Sequence, residues 1–272
     1  MGVLSIQNLT RDYGGGRGVF DLSFAVAAGE AFGFLGPNGA GKTTTIRHLM
    51  GFIRPEAGRC SVGGLDCWRE AAKIQGRLGY IPGEIGFFDD MSGTEFLQFT
   101  AKYRGQKSDG RTKELLERFE LNPKGKIKKM SKGMKQKVGI VAAFMHDPEI
   151  LLLDEPTGGL DPLMQNRFID LVAEEKARGK TILLSSHMFE EVERCCDRVG
   201  IIRAGKLVTV DATEALRSRH METHTVTLDT EEEAAAFAAD FHGRQTGRKV
   251  TVVAMKSLEE IFLHYYGGEK SC

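Results

Sequence analysis

The run Gly36-Pro37-Asn38-Gly39-Ala40-Gly41-Lys42-Thr43 follows a short apolar segment, Ala31 to Leu35, and satisfies the spacing G-x-x-x-x-G-K-[ST]. The chemistry this spacing serves is phosphate capture. Backbone N–H groups reach anionic oxygens only where side chains do not intrude, which accounts for glycine at 36, 39 and 41. A helix that starts within the run, at Lys42-Thr43-Thr44, aims its positive end at the same anion. Lys42 then supplies a mobile cation for the β and γ phosphates, and the Thr43 hydroxyl is a magnesium ligand. A second apolar segment, Ile150 to Leu153, delivers Asp154 and Glu155 at its end. Such an acidic pair is ordinarily an N-cap or a solvated loop. Beside a phosphate loop, Asp154 reads as the holder of hydrated magnesium and Glu155 as the group that orients or deprotonates an attacking water. The two motifs together imply hydrolysis of ATP or GTP.

Three further stretches narrow the class. Met130-Ser131-Lys132-Gly133-Met134-Lys135-Gln136-Lys137 lies between the two motifs, and Gly159-Leu160-Asp161 and Ser185-Ser186-His187 follow them. In that order the set resembles the signature motif, the D-loop and the switch histidine of an ABC ATPase, the nucleotide-binding subunit of ABC transporters. The resemblance runs from about Val3 to Val210. It implies ATP and Mg2+ as cofactors, and a head-to-tail pair of ATPase subunits, identical or related. ATP would be buried between the phosphate loop of one and Ser131, Lys132, Gly133 and Met134 of the other.

Those residues suit the role: a hydroxyl at Ser131, close backbone approach at Gly133, and a following helix whose N-terminus faces the phosphate. The wording departs from the usual LSGGQ, with Met130 for leucine, Lys132 for the first glycine and Met134 for glutamine. By the same resemblance Tyr13 stacks on adenine, Asp161 belongs to the D-loop, and His187 acts beside Glu155 as a sensor of the γ phosphate. The family's glutamine that touches magnesium and water falls at Gly83, followed by Glu84. Two readings of Glu84 stay open: a carboxylate directed at the metal, or a surface contact to a partner.

The elements that must hold these residues are short apolar strands alternating with helices, the pattern of an α/β domain with a largely parallel sheet. Val3 to Leu9, Val19 to Ala27 and Ala31 to Leu35 come first with no helix between them, which predicts an antiparallel layer. Helices are predicted at Gly41 to Met50, Gly93 to Tyr103, Lys132 to Met145, Leu163 to Ala177 and Met188 to Cys195. Ser92-Gly93-Thr94-Glu95 is a capping box, and Asp161-Pro162 an N-cap with proline behind it. Strand and helix signals from Thr223 to Glu260 form a smaller set. The expected fold is therefore a P-loop NTPase of the ABC ATPase type, with a parallel-sheet core, an antiparallel β layer and a helical signature subdomain at about 84–147. The ATPase domain is expected over 1–218 and a small α+β appendage over 219–272.

Composition excludes little and selects less. Lys+Arg and Asp+Glu both number 37, so no global field draws the chain to nucleic acid or membrane, and no specific nucleic acid is expected. Lys124, Lys126, Lys128, Lys129, Lys132, Lys135 and Lys137 form a local basic cluster, read chiefly as a solvated face. Five cysteines without paired ligand spacing read as reduced structural thiols. No apolar run is long enough to cross a bilayer, so the expected place is the cytoplasmic side of a membrane, held there through permease subunits. A repair-type ABC ATPase would carry a long heptad insertion before Ser131, and a translation-type one a second phosphate loop. The exporter motor of the ABC-2 type is favoured over a soluble ATPase acting on ribosomes or DNA, also by Ser257 to Phe262, which resembles the end of such subunits. Phe87 and Phe88 are expected in a groove for a permease helix, and Phe96, Phe99 and Tyr103 on an inward-facing stripe.

Overall fold

The computed structural model describes residues 2–88, 90–105, 110–219, 221–255 and 257–267. It contains two compact units that divide between Val210 and Asp211. This division falls before the helix Thr213–Arg219, whereas a boundary at 218/219 would cut off its last residue. Cys272 lies outside the described residues.

The first unit opens with β1 (Leu4–Asp12), β2 (Gly18–Val26) and β3 (Ala31–Leu35), then α1 (Lys42–Leu49), β4 (Ala57–Val62), β5 (Leu65–Asp66), α2 (Ala71–Gln75) and β6 (Leu78–Ile81). Helices α3 (Gly93–Tyr103) and α4 (Gly110–Arg118), a 3-10 turn at Ile127–Lys129 and α5 (Lys132–Phe144) come next. They are followed by β7 (Ile150–Asp154), α6 (Pro162–Ala177), β8 (Thr181–Ser186), α7 (Phe189–Cys195), β9 (Arg198–Arg203) and β10 (Lys206–Ala212). Two sheets result, a four-stranded one in the order β2-β1-β4-β5 and a six-stranded one in the order β10-β9-β3-β8-β7-β6. The antiparallel layer is real, but β3 is not part of it. All five residues of β3 are buried, whereas β1 and β2 alternate, so β3 fits only a strand covered on both faces. It pairs in parallel with β8 and β9 instead. Phe24 of β2 stacks on Phe32 of β3 with centroids 5.1 Å apart and so joins the two sheets through one core.

Between β6 and β7 the chain forms the helical part. The capping box expected at Ser92 is present, with Glu95 N donating to Ser92 Oγ at 3.2 Å and Ser92 N to Glu95 Oε2 at 2.6 Å. The aromatic stripe of α3 does not face inward. Its buried residues are Gly93, Leu97 and Ala101, two of them small, which lets α3 lie close to α5; of the rings only Phe96 is half-buried, edge-on to Phe87 at 5.0 Å. Phe99 and Tyr103 are exposed, and Phe88 packs edge-on against Phe99 at 5.7 Å. Ion pairs tie this part to α6: Arg118 to Glu174, and Arg111 to Glu175. Glu175 is 1% exposed yet meets Arg111, Arg178 at 2.9 Å and Lys180 at 2.7 Å, which offsets the cost of burying it.

The second unit holds α8 (Thr213–Arg219), β11 (Met221–Thr227), α9 (Glu231–Asp240), β12 (Arg244–Thr246), β13 (Lys249–Met255) and α10 (Leu258–Gly267). Its sheet is antiparallel in the order β11-β13-β12. Thr230 and Glu233 close a capping box at the start of α9. Sequence reading missed β4, β5, α2, α4, β9, β10, α8 and β12, most of them short or polar segments without a clear period.

Glycine at position 33 of β3 sets the depth at which α7 packs. A Cβ there would lie 2.3 Å from Val192 Cγ1, and Val192 is fully buried and β-branched. Gly33→Ala is expected to destabilise the fold by about 1–3 kcal/mol, the usual cost of overpacking. Chemical denaturation measures this, and an unchanged midpoint would show that α7 is not held against β3.

Candidate functional site

Parallel registration brings the chemistry to one edge. Leu35 of β3 stands beside Ser186 of β8, and Asp154 of β7 beside Ser185. The turns leaving all three strands therefore open together at their carboxyl ends, where α/β sheets place ligands.

One open groove of about 290 Å³ is lined by Tyr13, Arg17, Gly18, Pro37, Asn38, Gly39, Gly41, Lys42, Thr43, Thr44 and Glu155. The phosphate loop is shaped by positive φ at Gly39 (81°) and Gly41 (112°). Gly36 is packed so tightly that a Cβ would lie 2.6 Å from Ile202 O. Ala40 is buried and holds the loop to the β9–β10 turn, accepting from Gly205 N at 2.9 Å. Lys42 is 5% exposed and folds back over its own loop, donating to Gly36 O at 2.5 Å and Pro37 O at 3.3 Å. Its ammonium also pairs with Glu155 Oε1 at 3.0 Å. The cation is thus fully compensated by oxygens standing where phosphate oxygens would serve as well.

Glu155 lies just beyond β7 with φ of 47°, an uncommon value for a residue with a side chain, and its N–H donates to Ser185 O at 3.0 Å. Its second oxygen, Oε2, meets His187 Nδ1 at 2.5 Å. Lys42, Glu155 and His187 form a chain of contacts across the groove wall. Asp154 is fully buried, and the Ser185 hydroxyl donates to its Oδ1. Its Oδ2 has no hydrogen-bond partner among the described residues. A buried carboxylate oxygen without a donor is costly, and a hard cation is what satisfies it. With the Thr43 hydroxyl on the groove wall, the donor set fits Mg2+.

The remaining sequence candidates sit on separate turns. Tyr13 is in the β1–β2 turn, 45% exposed, with the Arg11 guanidinium 5.3 Å from its ring centroid. Ser131 and Asp161 each cap their own helix, accepting from Met134 N at 3.2 Å and Met164 N at 3.0 Å. Ser131, Lys132 and Met134 are exposed. A Cβ on Gly133 would lie 2.6 Å from Gly159 O, and the Lys132 stem lies over Gly159. The signature turn and the D-loop therefore pack on each other, away from the groove that Lys42 lines. A Cβ on Gly83 would lie 3.2 Å from Asp154 Oδ2, so position 83 faces the buried acid. Glu84 is exposed.

Arg17, Thr157 and Glu191 escaped the sequence reading. Thr157 follows two residues behind Glu155, and Glu191, in the first turn of α7, reaches back to the Ser186 hydroxyl just before His187. Glu191 is 2% exposed, and burial pushes its carboxyl above the usual range against the pull of hydroxyl donors.

A family model described as ABC transporter matches residues 19–158. The linearmycin resistance ATP-binding protein LnrL of Bacillus subtilis (strain 168) is 39% identical over 222 residues, which is 80% of this chain and 71% of that protein. The bacitracin transport ATP-binding protein BcrA of Bacillus licheniformis is 40% identical over 223 residues, covering 80% and 72%. A solved structure of an ATP-binding subunit of an ABC transporter superposes with a TM-score of 0.72 at 32% identity, covering 80% of this chain and 92% of that one.

Because Gly83, and not Glu84, faces Asp154, Glu84→Ala is expected to leave the magnesium dependence of nucleotide hydrolysis within about 2-fold, the range of an ordinary surface substitution. A magnesium titration of initial rates measures it; a several-fold higher magnesium requirement would place the Glu84 carboxylate at the metal.

Proposed function

The chain belongs to the ABC transporter ATP-binding family, and on that premise we propose how this ATPase subunit, the motor of an ABC transporter, uses its residues. The observation that carries the reading is the Lys42–Glu155–His187 chain of contacts at the mouth of the phosphate loop.

ATP enters the groove with its phosphates against the backbone N–H groups of Gly39 to Thr44, at the positive end of α1. Tyr13 takes the adenine ring on its exposed face. The phosphate oxygens replace Gly36 O, Pro37 O and Glu155 as partners of the Lys42 ammonium. That exchange frees Glu155 Oε1 at the moment the substrate arrives. Glu155 then orients the attacking water and accepts its proton, while His187 Nδ1 holds the other oxygen and fixes the direction of the carboxylate. Thr43 and Asp154 hold Mg2+, which when bound neutralises charge on the β and γ phosphates.

Ser131, Lys132, Gly133 and Met134 serve a second ATPase subunit. Ser131, Lys132 and Met134 are exposed while Gly133 packs on Gly159, and the phosphates of an ATP held by a partner would complete the N-terminus of α5. ATP then joins two subunits and hydrolysis releases them. The exposed rings of Phe88, Phe99 and Tyr103 offer the permease an apolar surface at the end of the segment that faces Asp154. Similarity to subunits named for bacitracin transport and linearmycin resistance supports an exporter of the ABC-2 type. Among the described residues no helix is long and apolar enough to cross a membrane, so the place at the cytoplasmic face is assigned through the permease.

Glu155→Gln keeps the shape of the site but removes the base. It is expected to bind ATP and to turn over about 10²- to 10⁴-fold more slowly, as measured by phosphate release; unchanged turnover would remove Glu155 from the role. The same variant, unable to discharge ATP, is expected to double its mass in solution with saturating nucleotide. Light scattering that shows a monomer at every concentration, alone and with a related subunit, would count against the shared site.

A further inference from the structure

Glu191 is a buried acid that the proposed hydrolysis does not use. It stands on the inner face of α7 beside Val192 and Cys195, both buried, where an apolar residue would cost less. Both of its oxygens are engaged. The Thr157 hydroxyl donates to Oε1, and the Ser186 hydroxyl donates to Oε2 at 2.7 Å while accepting from Met188 N at 2.9 Å. These partners are not arbitrary. Thr157 belongs to the turn that leaves Glu155, closed by Gly158 N donating to Glu155 O at 3.2 Å and Leu160 N to Thr157 O at 3.0 Å. Ser186 and Met188 flank His187 on either side.

Covalent links and contacts therefore form a closed circuit: Glu155, Pro156, Thr157, Glu191, Ser186, His187, and back to Glu155 through the 2.5 Å contact. Beside Glu191, the two segments are joined by Glu155 N donating to Ser185 O at 3.0 Å, by the exposed His187 and by a long contact of the Thr157 hydroxyl with Met188 Sδ at 4.0 Å, so Glu191 is the buried link that holds both turns through their hydroxyls. Glu155 has left-handed φ with its N–H bonded to Ser185 O, and His187 sits on a bend, so neither side chain is aimed by regular structure.

We propose that Glu191 is a positioning residue for ATP hydrolysis, fixing the Thr157 and Ser186 turns so that His187 stays in register with Glu155. Its effect travels through His187. The inference rests on the Glu155 and His187 assignment above, and the two can be tested apart.

The experiment is a double-mutant cycle on the full chain, with kcat, KM for ATP and melting temperature measured for Glu191→Ala, His187→Ala and the double variant. Glu191→Ala is expected to lower kcat about 10- to 100-fold, the cost of a small misplacement, with KM within about 2-fold. In the His187→Ala background it is expected to cost nothing further in kcat. Glu191→Gln, which still accepts a hydroxyl proton, recovers part of the loss. If Glu191→Ala does not fold, Thr157→Val and Ser186→Ala cut one link each and are expected to give the same dependence on His187. Losses that multiply in the double variant, or a lowered melting temperature with kcat intact, would overturn the proposal. If Glu155→Gln turns over normally, the base assignment falls while the cycle still reads the coupling of Glu191 to His187.

Discussion

Everything at the site depends on the register of three parallel strands. β3, β8 and β7 end level with one another, and each hands its chain to a turn at the same edge. From β3 comes the phosphate loop, from β7 the Asp154-Glu155 pair, from β8 the Ser186-His187 turn. Residues as far apart as 42, 155 and 187 meet because the strands are hydrogen-bonded in that order, and no local preference could bring them together. A strand slip of one residue would move every side chain to the opposite face. The near-continuous burial of these strands, with all residues of β3, β7 and β8 inside, is what makes such a slip costly.

On that frame the electrostatics are arranged to be exchanged. Lys42 is almost wholly buried, so its charge needs oxygen partners in every state of the protein. The loop carbonyls and Glu155 supply them in the chain alone, and a triphosphate supplies them when bound. In the proposed mechanism this exchange links binding to chemistry, because the oxygen that Lys42 would release belongs to Glu155. Asp154 shows the opposite design. One oxygen is satisfied by Ser185 and the other has no donor among the described residues, a cost that a divalent ion would remove.

Much of this was legible in the sequence, and the reasons are local. A phosphate loop is a contiguous run whose glycines are demanded by backbone conformation, so Gly39 and Gly41 announce their positive φ. The capping residues Ser92, Asp161 and Thr230 likewise declare helix starts, because the donor they satisfy is three residues away. What escaped was long-range. Assigning β3 to the antiparallel layer followed from adjacency along the chain, whereas uniform burial put it in the other sheet. The α3 aromatics have helical spacing, and spacing alone does not say which face is covered; small residues opposite them decided it. Glu191 gave no signal because an acid early in a helix usually faces water and favours the helix dipole. Only the fold places its carboxyl beneath two turns 34 and 5 residues away.

The signature turn carries the same logic across the molecule's surface. A phosphate needs donors on more than one side, and the groove lined by Lys42 is open. The chain's own Ser131 does not close it: its hydroxyl caps α5, and its neighbour Lys132 lies over Gly159. Gly159 has φ of 88° and no side chain, and the lysine stem occupies the space this leaves. The lysine that replaces the usual first glycine therefore lies on the D-loop of its own subunit, which makes Ser131 to Met134 and Gly159 to Asp161 one surface. A nucleotide held against that surface would be sensed by both turns at once. Since Thr157 and Leu160 of the D-loop segment are joined by a backbone hydrogen bond, and Thr157 touches Glu191, any shift there reaches the turn that carries His187. In the proposed pair of subunits, coupling would need no long pathway, only the five residues from Glu155 to Gly159 and the helix packed beneath them.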